Sequence, residues 1–227
     1  MSIELKQFTF PILLATSLSV ASFPAMGEWL VRGRILNISP DSNSDDAIAN
    51  GNTIPNSSVS VDNGYSLDLD ITYMFNPNIG VELLLDLSSR HDISSEGATF
   101  RSLAPNKIMS TRVLPPALIL QYHFVPDSIM RPYAGLGVNY AYFFDEEATA
   151  SLHGLGGVSD ISLDSSVGWV AQFGVDYEIG NDWFLNADFK YMDMETTANF
   201  HSGKMGNVSV DVDINPWIVG IGIGKRF

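Results

Sequence analysis

Oily and polar positions alternate with a period of two through most of the chain. From Tyr65 the odd positions read Tyr65, Leu67, Leu69, Ile71, Tyr73 and Phe75, with Ser66, Asp68, Asp70, Thr72 and Met74 between them. Successive strand residues point to opposite faces, so this spacing predicts a strand with one apolar and one polar side. After Asn76-Pro77-Asn78 the alternation resumes with Ile79, Val81, Leu83, Leu85 and Leu87, opposed by Gly80, Glu82, Leu84, Asp86 and Ser88; the short turn makes the pair a hairpin. It returns over 167–179 and, beyond Gly180-Asn181-Asp182, over 183–191. Less regular strands are predicted over 29–38, 114–124, 131–144 and roughly 208–227, which brings the total to about eight.

The aromatics decide which side of each strand meets water. In a soluble barrel the apolar face points inward, but here aromatic residues crowd the strand ends on the apolar face, as in the interfacial girdles of membrane barrels. Trp29, Trp183, Trp217, Tyr73, Phe75, Tyr122, Phe124, Tyr177 and Phe227 are expected in one belt, and Tyr65, Tyr140, Tyr142 and Phe144 in the other. Connections alternate between short ones near 76–78, 126–130 and 180–182 and long polar ones near 39–62, 91–111, 145–166 and 198–207. The expected fold is therefore all-β: an eight-stranded antiparallel transmembrane β-barrel over residues 27–227, with short periplasmic turns and long extracellular loops. Closure leaves no unpaired strand edge in the hydrocarbon, where every backbone polar group needs a partner.

Residues 1–26 follow a different rule. Residues 8–20 form an apolar run too short to span a bilayer as a helix but of signal-peptide length, and small residues (Ser19, Ala21, Ala25) follow for cleavage. An export signal ending near residue 26 is expected, and with it a bacterial outer-membrane location.

Charge and chemistry narrow the function. A net charge of −14 with only 12 Lys and Arg excludes a nucleic-acid partner, which needs clustered cations. Acids gather at Asp41, Asp45 and Asp46, at Asp145, Glu146 and Glu147, and at Asp160 and Asp164, either as solvated loop charge or as sites for cation bridging to lipopolysaccharide. There is no cysteine, and His91, His123, His153 and His201 lack metal-ligand spacing. No G-x-S-x-G or H-E-x-x-H motif is present, so an enzyme is not expected; a Ser, His and Asp acyltransferase or lipase is the remaining catalytic alternative. No cofactor or metal is expected.

The segments NIGVELL (78–84), LPPALILQYHF (114–124), RPYAGLGVNY (131–140), FFD (143–145), SDISL (159–163), QFGVDY (172–177), DWFLN (182–186), YMD (191–193), TTAN (196–199) and the final Phe227 together resemble the OmpW family of outer-membrane proteins, including its alkane-import branch, the AlkL proteins. The resemblance implies a monomeric barrel with a narrow, largely apolar bore that passes small hydrophobic molecules and releases them sideways into the membrane. It also implies outer-membrane lipids, lipopolysaccharide and the outer-membrane assembly machinery as partners. Two departures stand out: Lys225 lies two residues before the terminal Phe where an aromatic is common, and Lys190 takes an inward position where family members can carry a bulky aromatic.

Strand parity supplies the candidate site. Met74, Leu84, Ile119, Phe143, Val170, Phe184 and Met192 are the inward apolar candidates for a channel lining, with Lys190 among them; simple core filling accounts for them equally. Leu84 is the constriction candidate, since it interrupts a polar row between Glu82 and Asp86. Arg32, Arg34, Asp68, Asp70, Glu82, Asp86, Gln121, His123, Asp176, Asp188 and Lys190 are expected to pair across the lumen as a polar plug, because buried charge is costly unless compensated. Pro115 and Pro116 either mark a strand start or weaken the wall enough for a lateral opening, proline having no ladder donor. The function read from this is passive diffusion of small hydrophobic solutes, with a structural or surface-interaction barrel as the alternative.

Overall fold

The computed structural model describes residues 27–87 and 89–227; the expected export signal, residues 1–26, lies outside the described residues. Eight strands form the barrel wall: β1 (Glu28–Pro40), β2 (Gly64–Met74), β3 (Ile79–Asp86), β4 (Ala117–His123), β5 (Met130–Ala148), β6 (Ser166–Gly180), β7 (Trp183–Met192) and β8 (Pro216–Arg226). Each pairs antiparallel with its sequence neighbour, and β1 pairs with β8 from Leu30↔Arg226 to Pro40↔Pro216, so the sheet closes on itself. Closure gives every wall strand a partner on both sides and leaves no free sheet edge, the condition for crossing a bilayer with strands.

The period-two pattern sorts the side chains as parity requires. Leu67, Leu69, Leu83, Leu85, Leu118, Leu120, Ile221 and Ile223 are exposed on the outer face. Arg32, Arg34, Glu82, Gln121 and Asp188, from alternate positions, are buried inside. Aromatic rings pack along both rims of the oily band. Trp29 lies 4.8 Å from Tyr73 and Tyr122 5.3 Å from Phe124 at the short-turn end. Trp217 joins the opposite belt from the one expected: its ring lies 4.7 Å from Tyr191, and its Cα partner is Ser39, near the far end of β1. Lys225 places its ammonium over the Trp183 and Phe227 rings, 5.5 and 5.1 Å from their centroids, so this departure from the aromatic pattern still anchors in the girdle.

Glycines set what the lumen can hold. Gly220, Gly222 and Gly224 alternate with the outward Ile221 and Ile223, and a Cβ at Gly222 would come within 2.6 Å of Arg34 Cγ. One at Gly224 would overlap the Phe184 ring, and one at Gly174 the Tyr133 ring. Bulky inward side chains therefore lie over inward glycines of neighbouring strands.

At the long-turn end the wall continues beyond the oily band. Much of the sequence expected to be polar loop instead forms strands, Val59–Val61, Ser89–Ser95 and most of Lys107–Leu114 on one side and Val158–Leu163 and Glu195–Ser202 on the other, the last paired with Gly206–Asp213. Short helices Ala98–Leu103 and Ala150–His153 bring Phe100 and Leu152 inward, where both are buried. The strand expected over 208–227 is two strands: Asn215 takes a left-handed φ of 40° and Pro216 follows, breaking the ladder between Gly206–Asp213 and β8.

Candidate functional site

The lumen has two tiers of opposite chemistry. In the tier nearer the short turns, Arg32 donates to Asp176 at 2.9 Å and to Glu82 at 3.3 Å, and Arg34 donates to Asp68 at 2.9 Å, lies 3.3 Å from Asp188 and pairs with Asp70. Lys190 pairs with Asp188. Amides tie the acids together: Gln121 donates to Glu82 at 2.7 Å, Gln172 to Glu82 and Asp188 at 2.9 Å each, and Asn186 to Asp176 at 2.8 Å. Tyr133 donates to Asp188 at 3.1 Å while Arg32 stacks 5.1 Å from its ring centroid, and His123 lies parallel to that ring at 5.1 Å. Arg32, Glu82, Tyr133 and Lys190 all have zero exposure, so packed side chains fill the bore at this level. Such a network holds only if every charge keeps its partners, since desolvating an unpaired ion costs several kcal/mol.

Above it lies an apolar slot of about 60 Å3. Ile38, Ile93, Val113, Phe143, Met192 and Phe200 are among its walls, and Phe100 and Leu152 from the two short helices also line it. Its few polar lining groups are Asp86, His91, Thr111 and Thr196.

Among the described residues the ladder beside the slot has a gap: β3 pairs with β4 as far as Leu84↔Ala117, and the next pair is Ser89↔Val113 on the strands above. Pro115 and Pro116 occupy this interval; Pro115 is buried and lines the slot, and Pro116 points outward. Pro116 accepts from the Tyr140 N–H at 3.0 Å but has no N–H to return.

The predicted residues divide between these tiers. Phe143 and Met192 line the slot, while Leu84, Ile119 and Val170 belong to the same apolar core without appearing on the slot wall. Met74 and Phe184 do not join them; with Leu30 they form a separate cluster at the short-turn end, below the ion pairs. Lys190 lies in the polar tier, as do Arg32, Arg34, Asp70, Glu82, Gln121, His123 and Asp176. Asp86 stands apart from the ion pairs at the foot of the slot, where it accepts from Ser66. Sequence reasoning missed Tyr133, Gln172 and Asn186 as members of the network, and Phe100, Leu152 and Phe200 as slot residues.

The OmpW family model matches residues 25–227. Outer membrane protein W of Vibrio cholerae is 38% identical over 94% of this chain and 97% of its own length. Outer membrane protein AlkL of Ectopseudomonas oleovorans is 27% identical, covering 96% and 93%. The crystal structure of OprG from Pseudomonas aeruginosa superposes with a TM-score of 0.83 at 32% identity, covering 88% of this chain and 96% of that one. These relatives are outer-membrane proteins, and in bacterial outer-membrane barrels the short turns face the periplasm and the long connections the outside of the cell.

Proposed function

Since the chain belongs to the OmpW family, we propose that this outer-membrane barrel is a passive conduit for small hydrophobic molecules, which enter the slot from outside and leave sideways through the wall at Pro115-Pro116. The observation that carries this reading is the stacking of a largely apolar slot on a plugged bore with a ladder break beside it. An apolar solute gains by leaving water for the slot, and the slot is too slender to hold it over a large area. Passage straight down would require breaking buried ion pairs, at several kcal/mol each. Passage sideways crosses an interval where a proline pair supplies no ladder donors, at the level of the girdle residues Tyr140 and Tyr142 on the rim of the oily band. The relation to AlkL supports the same solute class.

The test is uptake of a labelled alkane or terpene by cells with and without the protein, alongside cells carrying Pro115→Val/Pro116→Val. Uptake should rise with the protein and fall toward background in the double variant, with heat-modifiable gel mobility confirming a folded barrel. Full uptake through the folded double variant removes the doorway; uptake that ignores the protein altogether, with altered envelope stability instead, favours a structural barrel.

A further inference from the structure

Asp86 does not fit a slot that serves hydrocarbons alone. It is the last residue of β3, it is buried, and among the described residues it is the one carboxylate on the largely apolar slot, at the edge of the ladder break, with His91, Thr111 and Thr196 the other polar groups on its wall. Its neighbours in the polar tier each touch a cation: Asp68, Asp70 and Asp188 face Arg34 or Lys190, and Glu82 and Asp176 share Arg32. Among the described residues no ion pair reaches Asp86, whose partner is the neutral Ser66 hydroxyl. The lumen as a whole holds Asp68, Asp70, Glu82, Asp86, Asp176 and Asp188 against Arg32, Arg34 and Lys190, a surplus of three acids. Arg131 does not redress it, because it pairs with Glu178 at the periplasmic rim.

We propose that the slot takes amphiphiles with an apolar tail and a cationic, hydrogen-bond-donating head, the primary alkylammonium class, with the head on Asp86 and the tail along Phe143 and Met192. This deepens the conduit reading and rests on it. A buried carboxylate left without a cation is electrostatically costly, and a bound ammonium lowers that cost while its chain lies against the apolar walls. A neutral alcohol satisfies one acceptor without neutralising the charge, and an alkane does neither. The three therefore form a ranked series with the same tail.

The experiment uses the full barrel in lipid nanodiscs with methyl-labelled methionine, Met192 and Met194 reporting slot occupancy because both line it. Octylamine, octanol and octane are titrated as mole fractions in the lipid. Octylamine is expected to half-saturate the Met192 and Met194 shifts at a roughly tenfold lower fraction than octane, with octanol between them, and Asp86→Asn to erase the amine's advantage. Equal half-saturation for all three probes, or an advantage that persists in Asp86→Asn and Asp86→Leu, overturns the assignment. In that case octane still shifts the methyls and the conduit reading stands; if no probe reaches them in a barrel shown folded by heat-modifiable mobility, both fall together.

Discussion

The Arg32 guanidinium lies 2.9 Å from the Asp176 carboxylate, and this contact joins β1 to β6, two strands that share no ladder. It therefore braces the barrel across its bore. Asp176→Ala leaves a fully buried guanidinium short of its nearer partner, and the expected loss is about 3–5 kcal/mol, because an uncompensated buried charge costs more than a missing contact. Replacing both ends, Arg32→Met with Asp176→Leu, should restore much of that loss. Urea unfolding followed by tryptophan fluorescence in lipid vesicles measures both; a single variant within about 1 kcal/mol of the parent contradicts the brace.

Gly174 gives a case where two effects point in opposite directions. Strand propensity alone favours Gly174→Val, since valine suits a sheet and glycine does not. Packing opposes it, because a Cβ there would run into the Tyr133 ring that fills the bore. Overpacking typically costs about 1–3 kcal/mol and outweighs a propensity gain of up to about 1. Gly174→Val should therefore destabilise the barrel, and adding Tyr133→Leu should reverse the sign. A stabilised single variant in the same urea assay would show that Tyr133 moves aside freely.

His91 makes the extracellular sheet sensitive to acid. It lies in Ser89–Ser95, above the ladder break, and burial lowers its pKa below 6.5 against the opposing pull of the Asp62 carbonyl and the Asp92 charge. The unfolded segment accordingly binds a proton more readily than the folded one. Stability is intact above about pH 6.5, declines as pH falls below that, and is fully lost to this group once pH passes the lowered folded value. Protection factors of the amides over 89–95, corrected for the intrinsic pH dependence of exchange, should fall from pH 7.5 to pH 5 in the parent, and His91→Gln should flatten that difference. An unaltered pH profile in the variant assigns the effect elsewhere.

Parity made the wall legible and left height and contact hidden. Alternation put Arg32, Glu82 and Asp176 inside and the leucines outside, because a strand has only two faces. Met74 and Phe184 share that inward parity with Met192, but the strand register carries them to the opposite end of the bore. Tyr133 is a large inward ring that is accommodated only because Gly174 is its Cα partner across β5 and β6, and pairing of that kind is not written in either strand alone. The outer sheets were within reach: Val208, Val210 and Val212 alternate as core residues do, and Asn215-Pro216 marks the break that moves Trp217 to the other girdle. Phe100 and Leu152 sit in single-turn helices too short to show a period, so nothing in their spacing announces that they line the slot.

Two apolar residues of one core separate transport from stability. Met192 lies on the slot wall, whereas Leu84 is almost fully buried in the same core without lining the slot. Leu84→Ala removes buried methyl groups and should cost about 2–5 kcal/mol, depending on how far Ala117 and Ile119 relax toward the void. The opening it leaves enlarges the space beneath the slot, so hydrocarbon uptake by the folded barrel should persist. Met192→Trp does the reverse: the indole occupies a slot of only about 60 Å3, and uptake should fall severalfold while the unfolding midpoint shifts by the smaller cost of overpacking, about 1–3 kcal/mol. Uptake of labelled alkane and urea midpoints, measured on both variants, decide the matter. If Leu84→Ala abolishes uptake in a folded barrel and Met192→Trp leaves it unchanged, the solute passes by Leu84 and the slot is not its route.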